Sequence, residues 1–288
     1  MPDDVVVEHA PAKLNLALHV GAARTDGYHP VRTLMVELEG LHDTVTVRRS
    51  GARRVDCAGA DGPTNLAWSA LDALEARTGV ALPLHVIIDK RIPSPAGLGG
   101  GSSDAAATLR AARRLVGIGV DDAGLESVAG RVGSDAAFFV RGGAQWATGR
   151  GEVLHAAPRV EFWAVLTRPV PGLATGRVYA AFDRIARPGD VDGPPPDLTR
   201  WWDAAGVTND LWPAALATAP ALGRVARALT AAGARRVMLC GSGGAMAGLW
   251  RDEEPARVAA AALGPMTLAV ARAAPGPGVK RGAVIAGT

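Results

Sequence analysis

Four glycines in five positions, closed by two serines, constrain this chain more than any other stretch. The run reads Pro93-Ser-Pro-Ala-Gly-Leu-Gly-Gly-Gly-Ser-Ser103. A strand-like segment, Leu84-His-Val-Ile-Ile-Asp89, precedes it. An alanine-rich stretch follows, with Ala105, Leu109, Ala112 and Val116 on one face at helical spacing, which predicts a helix over 102–116. Glycines let a backbone turn tightly and approach an anion. The free N–H groups and positive dipole end of a helix favour negative charge. Strand, loop and helix start therefore describe a phosphate socket. A flexible surface turn is the competing reading, but turns seldom place four glycines beside a capped helix. Ser102 or Ser103 is the expected N-cap. Asp104 would repel a nearby phosphate and should point away from it.

Two familiar phosphate motifs are excluded. No Gly-Lys-Ser/Thr follows the loop, so it is not a Walker A sequence. Gly97 and Gly99 fit G-x-G, but Ser102 stands where a dinucleotide fingerprint needs its third glycine.

With 288 residues the chain is long enough for one large domain or two smaller ones. The net charge of +3 spreads over 28 acidic and 31 basic residues without a basic block, which argues against nucleic acid as a partner. Cys57 and Cys240 give neither a disulfide framework nor a metal-ligand spacing. A reducing, cytoplasmic setting is expected. The start Met1-Pro-Asp-Asp lacks the apolar region of a secretory signal, and no window is apolar enough to span a membrane.

Strands are expected at 5–8, 14–20, 31–38, 44–48 and 84–89, and helices at 65–77, 102–116 and 121–131. A loop running into an apolar segment is expected at 133–139, and mostly extended chain at 145–154. The second half is read as a strand at 162–166, helices at 175–185, 213–218 and 220–232, and strands at 236–239 and 245–250. A helix at 254–262 and a strand at 266–272 follow. Residues 187–196 carry four prolines and two glycines and are read as a loop or hinge, and the tail 276–288 as irregular. Strands come in runs before helices, an α+β pattern. The break between halves falls near 157–161, giving domains 1–157 and 158–288. The turn Gly241-Ser-Gly-Gly244 reads equally as a hairpin turn or as backbone that a ligand approaches.

A glycine loop only binds, whereas phosphoryl transfer also needs charge stabilisation and an oriented hydroxyl. Lys13 starts an apolar strand; a solvated lysine is the plain alternative. Asp135 precedes Ala-Ala-Phe-Phe-Val140 and should be partly buried, where a carboxylate needs a partner; an ordinary cap or ion pair is the alternative. Tyr28 and Tyr179 are the only tyrosines, and a tyrosine can stack on a base with its hydroxyl wet. His29 is a possible general base with no neighbour in sequence to orient it. No His/Asp cluster suggests a metal cage. A magnesium ion would arrive with nucleotide phosphates.

These pieces resemble the GHMP kinase superfamily. The matching elements are Ala10-Pro-Ala-Lys-Leu-Asn-Leu16, Asp26-Gly-Tyr-His29, the loop with Asp104-Ala-Ala106, Gly133-Ser-Asp-Ala-Ala-Phe-Phe139, Thr208-Asn-Asp-Leu211 and Cys240-Gly-Ser-Gly-Gly244. The first two are similar to the branch whose acceptor is a cytidine diphosphate-linked methylerythritol. The resemblance implies ATP-dependent phosphorylation of the acceptor's 2-hydroxyl, in the non-mevalonate route to isoprenoid precursors. It implies an N-terminal domain like ribosomal protein S5 domain 2 and a ferredoxin-like C-terminal domain, as monomer or homodimer. Lys13 and Asp135 would be catalytic. Asn65 and Pro93, Ser94, Pro95, Ala96, Gly97, Leu98, Gly99, Gly100, Gly101, Ser102 and Ser103 would bind ATP, with Mg2+. Asn15, Tyr28, His29, Thr175 and Tyr179 would bind the acceptor, the two tyrosines clamping its cytosine. Ser134 and Ala137 depart from the family's usual Ala-Asp-Val-Pro, and Gly244 from its usual Gly-Ala. Ser94-Pro95 replaces residues that are often small and apolar.

Two other readings remain open. One is a superfamily kinase for homoserine or mevalonate. The other is a nucleotide-binding regulatory module without catalysis.

Overall fold

A long antiparallel ribbon starts the molecule, in a computed structural model that describes residues 5–171, 173–185, 187–189, 191–192, 201–203 and 207–274. Its strands are β1 (Val5–Val20) and β2 (Val31–Arg49). Each replaces two strands expected from the sequence. Pro11 and Gly40 look like breaks in the pattern but sit at an irregularity inside the ribbon. The register shifts between Pro11 and Ala12, which leaves residues 39–41 of β2 outside the pairing with β1. Such a bulge lets a strand bend without ending.

Next come β3 (Arg54–Cys57), α1 (Leu66–Thr78), β4 (Leu84–Asp89), α2 (Gly100–Val116), α3 (Asp122–Gly130), α4 (Ala136–Arg141), β5 (Ala144–Thr148) and β6 (Val153–Ala156). The second half contributes β7 (Trp163–Thr167), α5 (Thr175–Ile185), α6 (Trp212–Thr218), α7 (Ala221–Ala231), β8 (Arg236–Leu239), β9 (Met246–Trp250), α8 (Glu253–Leu263) and β10 (Thr267–Ala273). The architecture is α+β. The expected division after residue 157 lies between β6 and β7. The tail 276–288 and part of the 187–196 segment fall outside the described residues.

One sheet runs through both halves in the order β3-β4-β2-β10-β7-β9-β8, with β1 and β5 also paired to β2. The link is β10, which pairs with β2 at Glu39 and Leu38. Gly40 makes that contact possible: at φ +109, a Cβ there would stand 2.6 Å from the Val270 carbonyl oxygen. Helices α1, α2 and α3 cover one part of the sheet through Leu71, Leu74, Leu109 and Val128. Helices α5 to α8 cover another through Phe182, Ala215, Leu229 and Ala259. A third cluster joins the halves, with Leu14 and Leu38 beside Leu166 and Ala247. Each such leucine contributes about 1.5–3 kcal/mol when fully buried.

Helix α2 begins two residues earlier than the sequence pattern suggests. Its N-cap is Gly99 at φ +76, not a serine. Ser102 and Ser103 therefore stand in the first turn, and the Ser103 amide donates to the Gly99 carbonyl. Helix α4 occupies what was expected to be loop, because Asp135 ends the turn and Ala136, Ala137, Phe138 and Phe139 are all buried.

Candidate active site

The glycine loop leans on a second glycine turn from the other half. Gly97, at φ +77, lies so close to residue 240 that a Cβ there would meet the Cys240 carbonyl oxygen at 1.8 Å. The Ala245 amide donates to the Ala96 carbonyl at 3.1 Å. Asn209 fixes that turn from below: its buried side-chain amide donates to the carbonyls of Leu239 and Gly241, at 3.1 and 2.7 Å. The loop is also tied to β1, because the Lys13 amide donates to the Leu98 carbonyl at 3.0 Å. Two remote segments thus hold one loop at the start of α2, the first of them braced by Asn209.

That last bond sets where the Lys13 side chain goes. Lys13 is 4% exposed, in the middle of a strand covered on both faces. Its ammonium lies 3.3 Å from Asp135 Oδ2 and donates to Asn15 Oδ1 at 2.5 Å. Asn15 in turn donates to Thr33 Oγ1, which donates to the Ala17 carbonyl. The chain of bonds fixes the asparagine, and the asparagine fixes the lysine. An ammonium has three N–H groups, so one remains for a ligand. Asp135 is 29% exposed on its side chain, open enough to meet a substrate.

Both groups line a cavity of about 300 Å³. Gly97 and Gly99 form one wall, and Gly241 and Ser242 another. Thr175, at the start of α5, shares a hydrogen bond of 2.8 Å with Ser242. Tyr179, one turn on, also faces the cavity. Burial, and next the charge of Asp135, push its hydroxyl up to about 12. Tyr179 is therefore neutral at neutral pH. No thiolate competes for the chemistry: Cys57 and Cys240 are free and buried, and burial pushes the Cys240 thiol up to about 12 against the opposing charge of Lys13.

Of the residues singled out from the sequence, Lys13, Asn15, Gly97, Gly99, Asp135, Thr175 and Tyr179 come together in this wall. Others stand beside it. The His29 ring is 5.2 Å from that of Tyr179, with its nitrogens at the Gly21 carbonyl and Asp183. Both nitrogens are thus engaged, and the ring lies against Tyr179. Tyr28 is 54% exposed, with the Arg150 guanidinium 4.1 Å from its ring centroid. Asn65 caps α1, accepting from the Ala67 amide and donating to the Ala60 carbonyl. Leu98 and Ala96 turn their side chains into the core. Sequence reasoning missed Arg150, Ser242, Asn209 and Lys90. The last three lie in or next to quoted motifs; Arg150 had only its two flanking glycines as a signal.

Lys90 sits behind the loop, between two carboxylates. Its ammonium is 2.5 Å from Asp43 and 2.7 Å from Asp104. Asp43 also accepts from the amides of Arg91 and Ile92, so it anchors the chain entering the loop. Burial is the largest influence on Asp104; Lys90 opposes it, and the negative charge of Asp43 adds to it. The carboxyl rises from 3.8 to about 7. Below the unfolded value both states hold the proton. Between 3.8 and about 7 only the folded state holds it, so stability falls as pH rises through that window. Asp104→Asn is expected to flatten this slope, read as the urea midpoint at pH 5 against pH 8. An equal slope in the variant would remove Asp104 as its source.

Among the described residues no group of three His, Cys, Asp or Glu can hold an ion. The Ser103 hydroxyl is buried without a hydrogen-bond partner at the start of α2. Also among the described residues, no helix is long and apolar enough to cross a membrane.

Comparison with known proteins agrees with this geometry. The family model for the GHMP kinases N terminal domain matches residues 65–143, which include the loop and Asp135. A 4-diphosphocytidyl-2-C-methyl-D-erythritol kinase of Anaeromyxobacter sp. (strain K) is 42% identical over 278 residues, 90% of this chain and 85% of the relative. One from Streptomyces avermitilis is 39% identical over 289 residues, 94% of this chain and 97% of the relative. A crystal structure of 4-(cytidine 5'-diphospho)-2C-methyl-D-erythritol kinase superposes with a TM-score of 0.79 at 33% identity, covering 93% of this chain and 99% of that one. Homoserine kinase from Cytophaga hutchinsonii, at a TM-score of 0.64 and 16% identity, shares the fold. With a GHMP kinase fold and this identity along nearly its whole length, the chain belongs to the 4-diphosphocytidyl-2-C-methyl-D-erythritol kinase family.

Proposed function

We propose that the chain transfers the γ-phosphoryl group of ATP to the 2-hydroxyl of 4-diphosphocytidyl-2-C-methyl-D-erythritol, in the non-mevalonate route to isoprenoid precursors. The observation that carries this reading is one cavity holding the Lys13–Asp135 pair, the glycine loop and Tyr179 together. Asp135 accepts the hydroxyl proton as the new O–P bond forms, and ADP leaves with the electrons of the old one. Lys13 offers its remaining N–H to charge developing on the phosphoryl oxygens. In a loose transition state such positioning outweighs base strength.

Residues 93–103 and the first turn of α2 receive the ATP phosphates, with Asn65 near the adenosine. Mg2+ arrives with the nucleotide and neutralises phosphate charge. Asn15 and Thr175 bind the acceptor, and Tyr28 and Tyr179 take its cytosine between them, Tyr179 backed by His29. The reading places the chain in the cytoplasm as monomer or homodimer, with domains 1–157 and 158–288.

Phosphorus NMR of a reaction with ATP, Mg2+ and the cytidyl substrate tests it. A new phosphomonoester resonance on the acceptor is expected, and chelation of the metal should abolish it. ADP formation without that resonance would count against it. Tyr179→Ala should raise the KM for the cytidyl substrate by about tenfold or more, the scale of one lost base–aromatic stack, with little effect on the KM for ATP. Equal effects on both constants would rule out stacking.

A further inference from the structure

We propose that Arg150 is the residue that recognises the acceptor's diphosphate, and so sets specificity for a nucleotide-linked polyol. The inference rests on the reading above and adds a residue to it. Among the described residues, Arg150 and Lys13 are the two cations in the cavity wall, and Asp135 the one carboxylate. Lys13 is offset by the Asp135 ion pair, whereas Arg150 is held only by a half-exposed pair with Asp26 that a ligand can exchange.

Position makes the case stronger. Arg150 sits in the tight turn between β5 and β6, flanked by Gly149 at φ +73 and Gly151 at φ +112. The Val31 amide donates to the Gly149 carbonyl at 2.8 Å, which fixes the turn on the ribbon. At Gly151 a Cβ would lie 3.7 Å from Asp135 Oδ1, so the turn's backbone abuts the reacting end of the site. The side chain reaches the other way. Its guanidinium lies 4.1 Å from the Tyr28 ring centroid and 3.2 Å from Asp26 Oδ2. Arg150 thus spans the interval between Asp135 and Tyr28. An acceptor with its base at Tyr28 and its hydroxyl at Asp135 must lay its diphosphate along that interval.

The chemistry matches. A diphosphate esterified at both ends keeps two negative charges. A guanidinium presents parallel N–H donors suited to phosphate oxygens. Asp26 holds the group in place until the phosphates arrive: the Tyr28 amide bond and the charges of Arg24 and Arg150 keep its carboxyl below the usual range, so it stays an anion. The Asp26–Arg150 pair is half exposed, which makes it a weak bond to exchange.

The test is calorimetry with cytidine and with cytidine 5'-diphosphate, on the wild-type chain and on Arg150→Gln. The wild type should bind the diphosphate more tightly than the nucleoside. Arg150→Gln should lose about tenfold or more of affinity for the diphosphate, the scale of a charge-assisted bond, and leave cytidine binding unchanged. Added salt should weaken the wild-type diphosphate complex more than the variant's. Arg150→Lys should restore part of the loss, as a point charge without the fork. Equal loss for both ligands would make Arg150 only a support for Tyr28 and overturn the proposal, as would no loss for either. If the wild type binds neither ligand, the cytidyl reading itself falls, and this inference with it.

Discussion

Asp135→Asn is expected to lower turnover by about 10²- to 10⁴-fold, the usual contribution of a positioned general base. The KM for ATP should stay within about twofold, because in the proposed reaction Asp135 acts on the acceptor hydroxyl and not on the nucleotide. An asparagine keeps the shape of the side chain and its place before α4. It cannot take a proton from the acceptor hydroxyl, and it no longer forms the 3.3 Å ion pair with Lys13. Lys13 still has Asn15 at 2.5 Å, so the lysine should keep its position. The variant therefore separates proton transfer from architecture. Steady-state kinetics with both substrates reads it, and thermal melting checks that the fold is intact. Unchanged turnover would remove Asp135 from the mechanism.

Gly97→Ala should be the most damaging single-methyl change in the loop. The position demands a left-handed φ of +77, which alone costs a non-glycine residue about 1–2 kcal/mol. The added Cβ would also stand 1.8 Å from the Cys240 carbonyl oxygen, and backbone cannot rotate away as a side chain can. Loop and turn must separate, which breaks the seam joining the two halves at the site. The expected result is a lower melting temperature together with at least a tenfold rise in the KM for ATP, since about 1.4 kcal/mol of lost binding is tenfold. Gly119→Ala, outside the loop, is the control. Its Cβ would meet nothing within 4 Å. If both variants behave alike, the tight packing of Gly97 on residue 240 does not matter for binding.

Lys13 and Asp135 were legible in the sequence because each sits inside a short motif next to an apolar run. Local spacing also placed β4 at its observed bounds. What stayed hidden depends on contacts between distant segments. Arg150 and Asp26 are 124 residues apart, and no local pattern pairs them. The start of α2 was misread because a serine is the usual cap, whereas the space beside Gly99 is filled by the Phe139 ring and Lys13 Cγ, 2.8 and 3.0 Å from where a Cβ would be. Strand β1 was read as two because Pro11 interrupts the alternation, while the bulge opposite keeps the ribbon paired. Asn209 belonged to a quoted motif, but its work on the Gly241 turn shows only once β8 and β9 are in place.

The central claim is that this cavity takes a cytidyl-linked acceptor and no simpler alcohol. A coupled ADP-release assay on the purified chain, with the cytidyl substrate, homoserine and mevalonate offered separately, tests it most directly. The account predicts ADP release with the cytidyl substrate and only background with the other two. Turnover of homoserine or mevalonate with none on the cytidyl substrate would contradict it.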